Sequence, residues 1–333
     1  MRIGMNPQKE HKKIELKEHH RVIVVVFIPK LEDYYENMFE VFKLNLESII
    51  STKNEFCAIT VVNNGCCDVV VDYLNGMYAN SKIDCLVHHK INIGKIDALI
   101  GSARSSREKL ITLTDADILF VKGWQENVEN VFCNFKDVGS VSPLPIRKGL
   151  TSGTISTLKK ILLKKAELSF LPIKENFDSY NKFLESIGWD VEKRDDLLWP
   201  IISINNNKAI VGSAHQVLTI DREIFFSDVP IKPSLILVGN KSENDYVDFP
   251  IDLSGKMRLS TYNNFAFHMG NKAENWMYDI QKNNSITDLN LPIYDIRTFQ
   301  IPVKKNKFKL FKYKLYRIII KKIVHIRFKN MIN

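Results

Sequence analysis

Apolar and polar positions along the chain switch between two periods. "VIVVVFIP", Val22 to Pro29, is an unbroken β-branched run closed by proline, the pattern of a strand buried on both faces of a parallel sheet. Tyr35, Met38, Phe39, Phe42, Leu46, Ile49 and Ile50 then recur at steps of three and four, which predicts an amphipathic helix. A second buried strand, Cys57 to Val62, runs into the turn signal Asn64-Gly65. Val69 to Met77 reads as a helix, "KIDCLVHH" as a third strand, and Ala98 to Arg104 as part of a further helix. Leu110 to Thr114 is a fourth strand, and Trp124, Val128, Val131, Phe132 and Phe135 mark the helix after it.

Strands alternating with helices predict βαβ units around a parallel sheet, in which ligands bind beyond the carboxyl ends of the strands. Asn63, Asn64, Asp115 and Asp117 all fall at such ends, so one crevice can gather them. The alternation weakens between about Gly149 and Asn207. There "TLKKILLKKAELSF" reads as a helix, and the region as an insertion over the sheet edge or a lid. From Ala209 to Gly270 the pattern is strand-like again, and no internal repeat is visible.

Composition changes this picture in one place. The 333 residues carry a net charge of +9, but eleven of the 47 Lys/Arg lie after residue 303, where there is no Asp or Glu. The remainder is near neutral, so the charge describes a basic tail and weakens any nucleic-acid reading of the whole protein. Cys57, Cys66, Cys67, Cys85 and Cys133 are odd in number and show no CxxC spacing, as expected of reduced thiols in the cytoplasm. The polar N-terminus shows no apolar signal region, and no apolar run is long enough to span a bilayer.

The candidate chemistry lies in "LITLTDADILF". Residues i and i+2 of an extended segment project to the same side, so Asp115 and Asp117 can converge on one divalent cation, or divide a cation and a sugar hydroxyl between them. Oxygen ligands suit Mg2+ or Mn2+, with phosphates and waters completing the shell. A solvated turn that happens to hold two acids is the plain alternative.

Between Val22 and Gly270 the chain resembles a family 2 glycosyltransferase of the GT-A fold, through motifs in the family's order. "VVNNG" resembles its "VDNGS" turn, with Asn63 in place of Asp; "INIGKIDA" resembles N-x-G-x-x-x-A; "TDADILF" with "KGWQENV" resembles the D-x-D motif and the Gly-Trp after it. "SENDYVDFPIDLSGKMRL" with "FAFHMGN" resembles the family's acidic doublet, Gly, Arg and His block, with Glu243-Asn244-Asp245 where the doublet is usual. The resemblance implies a single Rossmann-like, mostly parallel sheet flanked by helices over residues 21–295. A polar extension (1–20) would precede it, an acceptor-side insertion (149–207) would interrupt it, and a basic tail (296–333) would follow.

It also implies a nucleotide-sugar donor held by Pro29, Asn63, Asn64, Asn92, Gly94, Lys95, Asp115 and Ala116. Mn2+ or Mg2+ would be held by Asp117, Asp115 and His268. The catalytic base would be Asp245, with Glu243 and Asp248 as rivals. The implied activity is inverting transfer of a sugar to a saccharide or lipid-linked saccharide acceptor in surface glycan synthesis. A catalytically inactive nucleotide-sugar-binding protein is the alternative that Asn63 and Asn244 favour. A sugar nucleotidyltransferase ranks lower, because "FIPKLEDYY" lacks a glycine-rich phosphate loop.

The pairs His19-His20 and His88-His89 read as structural, since neighbours on a strand face opposite ways. In the tail, Phe311, Leu315, Ile318, Ile319, Ile323 and Ile326 share one helical face, with Lys314, Arg317 and Lys321 roughly opposite. Residues 304–329 are therefore expected to hold an anionic membrane surface, placing the protein peripherally on the inner face. Docking of the helix on the body is the alternative.

Overall fold

His20–Val26 forms β1, and its side chains divide between two cores. Val22, Val24 and Val26 join Phe42, Leu46 and Ile49 on one face of the sheet, while Ile23 and Val25 join Ile96, Leu99 and Ala103 on the other. This two-sided burial is why the run is continuously β-branched rather than alternating. The computed structural model describes residues 4–6, 9, 14–286, 291–294, 296 and 307–332, with the side chains of the last helix described over 310–326. The expected extension (1–20) and tail (296–333) lie partly outside these residues.

α1 (Met38–Thr52), β2 (Cys57–Asn64), α2 (Asp68–Ala79), β3 (Cys85–His89), α3 (Lys95–Ser105) and β4 (Leu110–Thr114) complete the first half. β2, β3 and β4 extend the sheet around β1 as parallel neighbours. Next come β5 (Ile118–Phe120), α4 (Trp124–Asn134), β6 (Val138–Ser142), α5 (Ile155–Leu162), β7 (Glu167–Pro172), α6 (Phe177–Ser186), β8 (Leu198–Ile204), β9 (Asn207–Val211) and β10 (Val217–Asp221). α7 (Ile224–Ser227), α8 (Phe249–Leu253), β11 (Met257–Ser260), β12 (Ala266–His268), α9 (Asn275–Ile286) and α10 (Lys307–Ile332) close the chain.

Among the described residues the main sheet has ten strands in the order β3-β2-β1-β4-β10-β6-β11-β9-β8-β7. Seven run one way, and β10, β9 and β7 run against them, so the sheet is mixed but mostly parallel. The 149–207 region does not stand apart from this sheet. Its β7 and β8, joined through β9 just after it, prolong the sheet antiparallel beyond β11. The helix expected over "TLKKILLKKAELSF" stops at Leu162, because Lys164 takes a positive φ of 55° and the following residues pair as β7 with β8.

The two N-terminal histidines are structural. His19 Nε2 and His20 Nδ1 lie 3.1 Å and 2.9 Å from the same Glu129 oxygen, which also accepts from Gln125 at 2.8 Å. His20 Nε2 reaches Thr112 at 2.7 Å, tying α4 to β1 and β4. Burial pushes the Glu129 carboxyl up, but the two imidazoles outweigh it and hold the group down at about 2 against an ordinary 4.5. A depressed folded value means stabilisation that is present above about pH 4.5 and lost as the pH falls toward 2, roughly 3 kcal/mol in all. Glu129→Gln is therefore expected to lower denaturant stability by about that amount at pH 6, with the deficit shrinking on acidification to about pH 3. An equal deficit at both pH values would remove the assigned role.

Candidate active site

The acidic pair lies where β4 ends. The Asp115 amide donates to the Gln216 carbonyl at 2.9 Å, which continues the β4–β10 ladder by one residue. Asn45 of α1 donates to the Ile118 carbonyl at 2.6 Å and to that of Asp115 at 3.4 Å, pinning the turn from below. Trp124, fully buried, packs its ring 4.9 Å from Phe120 and 5.5 Å from His20. The Gly-Trp after the acids thus anchors β5 to the core.

His268 arrives from the far end of the chain through a separate two-stranded ladder. β12 pairs antiparallel with β5, and the register sets His268 opposite Ile118. The Met269 amide then donates to the Asp117 carbonyl at 2.8 Å. As a result His268 Nε2 lies 3.3 Å from Asp117 Oδ2. The other imidazole nitrogen is 2.8 Å from Ser186 Oγ, and the ring stacks edge-on against Phe183 at 6.0 Å. Both supporting residues belong to α6, so the 149–207 region backs the histidine.

Asp117 Oδ1 is buried with no hydrogen-bond partner among the described residues. Burial pushes this carboxyl up to about 6, with His268 acting in the opposite direction. Asp115 has a different partner. Its two oxygens lie 2.7 Å and 2.9 Å from Lys95 Nζ, and Glu243 Oε1 is 3.8 Å from the same ammonium. Burial works to lower the Lys95 ammonium, but Asp115, then Glu243 and Asp117, outweigh it and hold it above its ordinary value. Lys95 was expected as a donor contact; its place between two acids was not visible from spacing.

Among the described residues no three acids, histidines or cysteines converge as a ready metal cage. Asp117 and His268 do fit a divalent cation in a sparser way. An orphaned carboxylate oxygen beside an imidazole nitrogen supplies two protein ligands, leaving the rest to phosphate oxygens and water.

The other expected residues form the wall beside α3. Asn64 Nδ2 donates to Asn92 Oδ1 at 2.9 Å, which also accepts from the Gly94 amide at 2.8 Å. Asn63 is buried, with Oδ1 accepting from Cys66 N at 2.8 Å and Nδ2 2.9 Å from His88 Nδ1. Gly94 is required: at φ +97° a Cβ would sit 2.3 Å from the Ile236 carbonyl oxygen. Pro29 is exposed beyond β1, and Ala116 packs half-buried between the two acids. Of the candidate bases, Glu243 reaches Lys95, whereas Asp245 is exposed and accepts from Asn244 at 2.7 Å. Asp248 is buried against the Arg258 guanidinium at 2.5 Å. Sequence reading passed over His215, whose Nδ1 is 3.7 Å from Asp248.

No family model matches the chain, and no curated protein matches it. Among solved structures it is similar to the mannosyltransferase PcManGT from Pyrobaculum calidifontis in complex with GDP-Man and Mn2+, at 14% identity over 83% of this chain and 66% of that one, TM-score 0.45. It is similar to S. aureus TarS 1-349 at 9% identity over 83% and 66%, TM-score 0.42. It is also similar to GalNAc-T7 with UDP, GalNAc and Mn2+ at 14% identity over 82% and 48%, TM-score 0.48. The chain spans just under two thirds of the first two and about half of the third.

Removing the ammonium between two acids tests the electrostatics directly. Lys95→Ala is expected to lower stability by roughly 2–3 kcal/mol in denaturant titrations, less than for a fully buried pair because the site is partly open. Lys95→Arg should recover most of it.

Proposed function

We propose that this chain is a metal-dependent glycosyltransferase that moves a sugar from a nucleotide-diphosphate donor to a saccharide or lipid-linked saccharide acceptor. The observation that carries the reading is the Asp117 carboxylate at the carboxyl end of β4, its buried Oδ1 without a partner among the described residues and its Oδ2 3.3 Å from His268 Nε2. Asp117 and His268 would hold Mn2+ or Mg2+, which when bound supplies positive charge for a departing diphosphate.

The chain's own residues do the rest. Asn64, Asn92 and Gly94 form a polar wall for the nucleotide. Lys95 fixes Asp115, which is left to meet a ribose hydroxyl or complete the metal shell. Glu243 is the base this reading favours, ahead of Asp245 and Asp248. Burial raises its carboxyl, but its own backbone amide, Lys95 and Ser242 outweigh that and hold it below the ordinary value, so it is ionised at neutral pH. It would take the acceptor proton as the hydroxyl attacks opposite the leaving group, inverting the anomeric centre.

The last helix supports a peripheral place at the inner membrane face, near surface glycan synthesis. Among the described residues no helix is long and apolar enough to cross a membrane. α10 docks through Tyr313, Ile320 and Val324, and the predicted stripe on its other face stays open, with Phe311 and Ile318 70% and Ile326 71% exposed. Docking and an open apolar stripe thus coexist on opposite sides.

A second reading, an inactive nucleotide-sugar binder, draws on both Asp115 oxygens being held by Lys95 and on the Asn63 side chain being engaged by the Cys66 amide and the His88 ring.

A thermal-shift panel of UDP, GDP, CMP and dTDP with and without Mn2+ is expected to show a metal-dependent rise with one base, lost in Asp117→Ala. Because a raised Asp117 must give up its proton to bind a cation, the rise should weaken below about pH 6. Glu243→Gln should keep the rise and lose transfer by roughly 10²–10⁴-fold. Binding without any release of nucleotide from donor sugars would leave only the binder.

Phe311→Ser/Ile318→Ser/Ile326→Ser should weaken sedimentation with neutral and anionic vesicles alike. Unchanged sedimentation would end the surface assignment.

A further inference from the structure

A cavity of about 680 Å³ lies away from the acidic pair, between α5 and α10. Its volume is in the range of small-ligand sites. Five lysines line it: Lys136, Lys159, Lys160 and Lys165 from the body and Lys312 from α10. The two acids that share the wall are already engaged. Asp137 takes Lys160 at 2.9 Å, and Asp252 accepts the Ile155 and Ser156 amides and the Tyr313 hydroxyl at 2.7–3.0 Å. Lys165 and Lys312 are in no ion pair among the described residues. The cavity therefore keeps an excess of positive charge.

The rest of its wall is mixed: Ile155, Leu163, Ile204, Leu253, Tyr313 and Tyr316 give it an apolar part, beside Asn134, Ser156 and Asn205. Leu163 stays 56% exposed there. Lys159 Nζ sits 4.3 Å from the Tyr316 ring centroid, so this ammonium is held at the cavity wall rather than free in solvent. At 100° per residue, Tyr316 lies on the flank of α10 between its docked edge and its open apolar stripe, and Lys312 falls at that border of the stripe, between Ile319 and Ile323. Lys314 and Lys321 fall on the opposite flank. The cationic cavity thus borders the face of the helix that meets a bilayer in the membrane reading.

A cluster of ammonium groups over an apolar floor is complementary to an anionic amphiphile, not to a free anion or a neutral lipid. We infer that the cleft between α5 and α10 is a binding site for the headgroup of an anionic phospholipid, its phosphate among the lysines and its glycerol and first chain carbons on the tyrosine and aliphatic floor. The inference rests on the surface placement of α10 proposed above and adds a specific lipid class to it. It is independent of the sugar chemistry.

The test uses the full chain and dihexanoyl phosphatidylglycerol below its micelle concentration, with titration calorimetry as the readout. Saturable binding of one lipid per chain is expected, with affinity lowered about tenfold or more in Lys136→Gln/Lys165→Gln. Lys314→Gln/Lys321→Gln, equal in charge but on the other flank, should bind as the parent does. Equal binding of inorganic phosphate would overturn the lipid assignment in favour of a plain anion site. Equal losses in both double variants, or no saturable binding by the parent, would overturn the site. If the stripe variant Phe311→Ser/Ile318→Ser/Ile326→Ser loses vesicles but still binds the short-chain lipid, the site stands on its own. If vesicle binding survives in that variant while the short-chain lipid is not bound, the site is overturned.

Discussion

The pairing of β5 with β12 is the constraint on which the rest of the site depends. Three residues from each strand meet, and their register alone brings His268 to Asp117 across 150 residues of sequence. Nothing local to either residue specifies that contact. It holds because Trp124, Phe120 and Asn45 fix β5 to the core, while Ser186 and Phe183 fix the imidazole from the opposite side. A buried carboxylate oxygen without a partner is costly in a folded protein, and such groups are rare unless a ligand satisfies them. The surrounding packing keeps Asp117 in that position.

Much of the first half of the fold was legible because its signals are local. Val22–Val26 is a β-branched run and Leu110–Thr114 a short strand buried along its whole length, and Phe42, Leu46 and Ile49 keep one helical face. The 149–207 region was less legible. Its β7 contains Glu167, Ser169 and Pro172, its strands are partly solvated, and its α6 follows a short turn, so neither period dominates. Pairing with the existing sheet edge decides those strands, and such pairing is non-local.

The site divides along the same line. Asp115, Asp117, Asn64, Asn92 and Gly94 stand out through their spacing after strands, and the structure gathers them at one end of the sheet. The separate partners of Asp115 and Asp117, Lys95 for one and His268 for the other, could not be read that way. The i, i+2 rule holds for an extended segment, whereas the chain turns between β4 and β5, sending one carboxylate to α3 and the other to β12. The three acids of 243–248 separate only once burial is known, because Arg258 claims Asp248 and solvent claims Asp245.

The loop over the start of α3 follows from the same helix. Asp97 accepts the Ser234 and Leu235 amides, and the Lys95 amide donates to the Leu237 carbonyl. Leu235 and Leu237, 85% and 61% exposed, are thus strung to the same helical turn that carries the ammonium between Asp115 and Glu243. Lys95 is therefore held at both ends, its amide by the aliphatic loop and its ammonium by Asp115 and Glu243, so one residue is shared by the solvent-facing leucines and the charged centre.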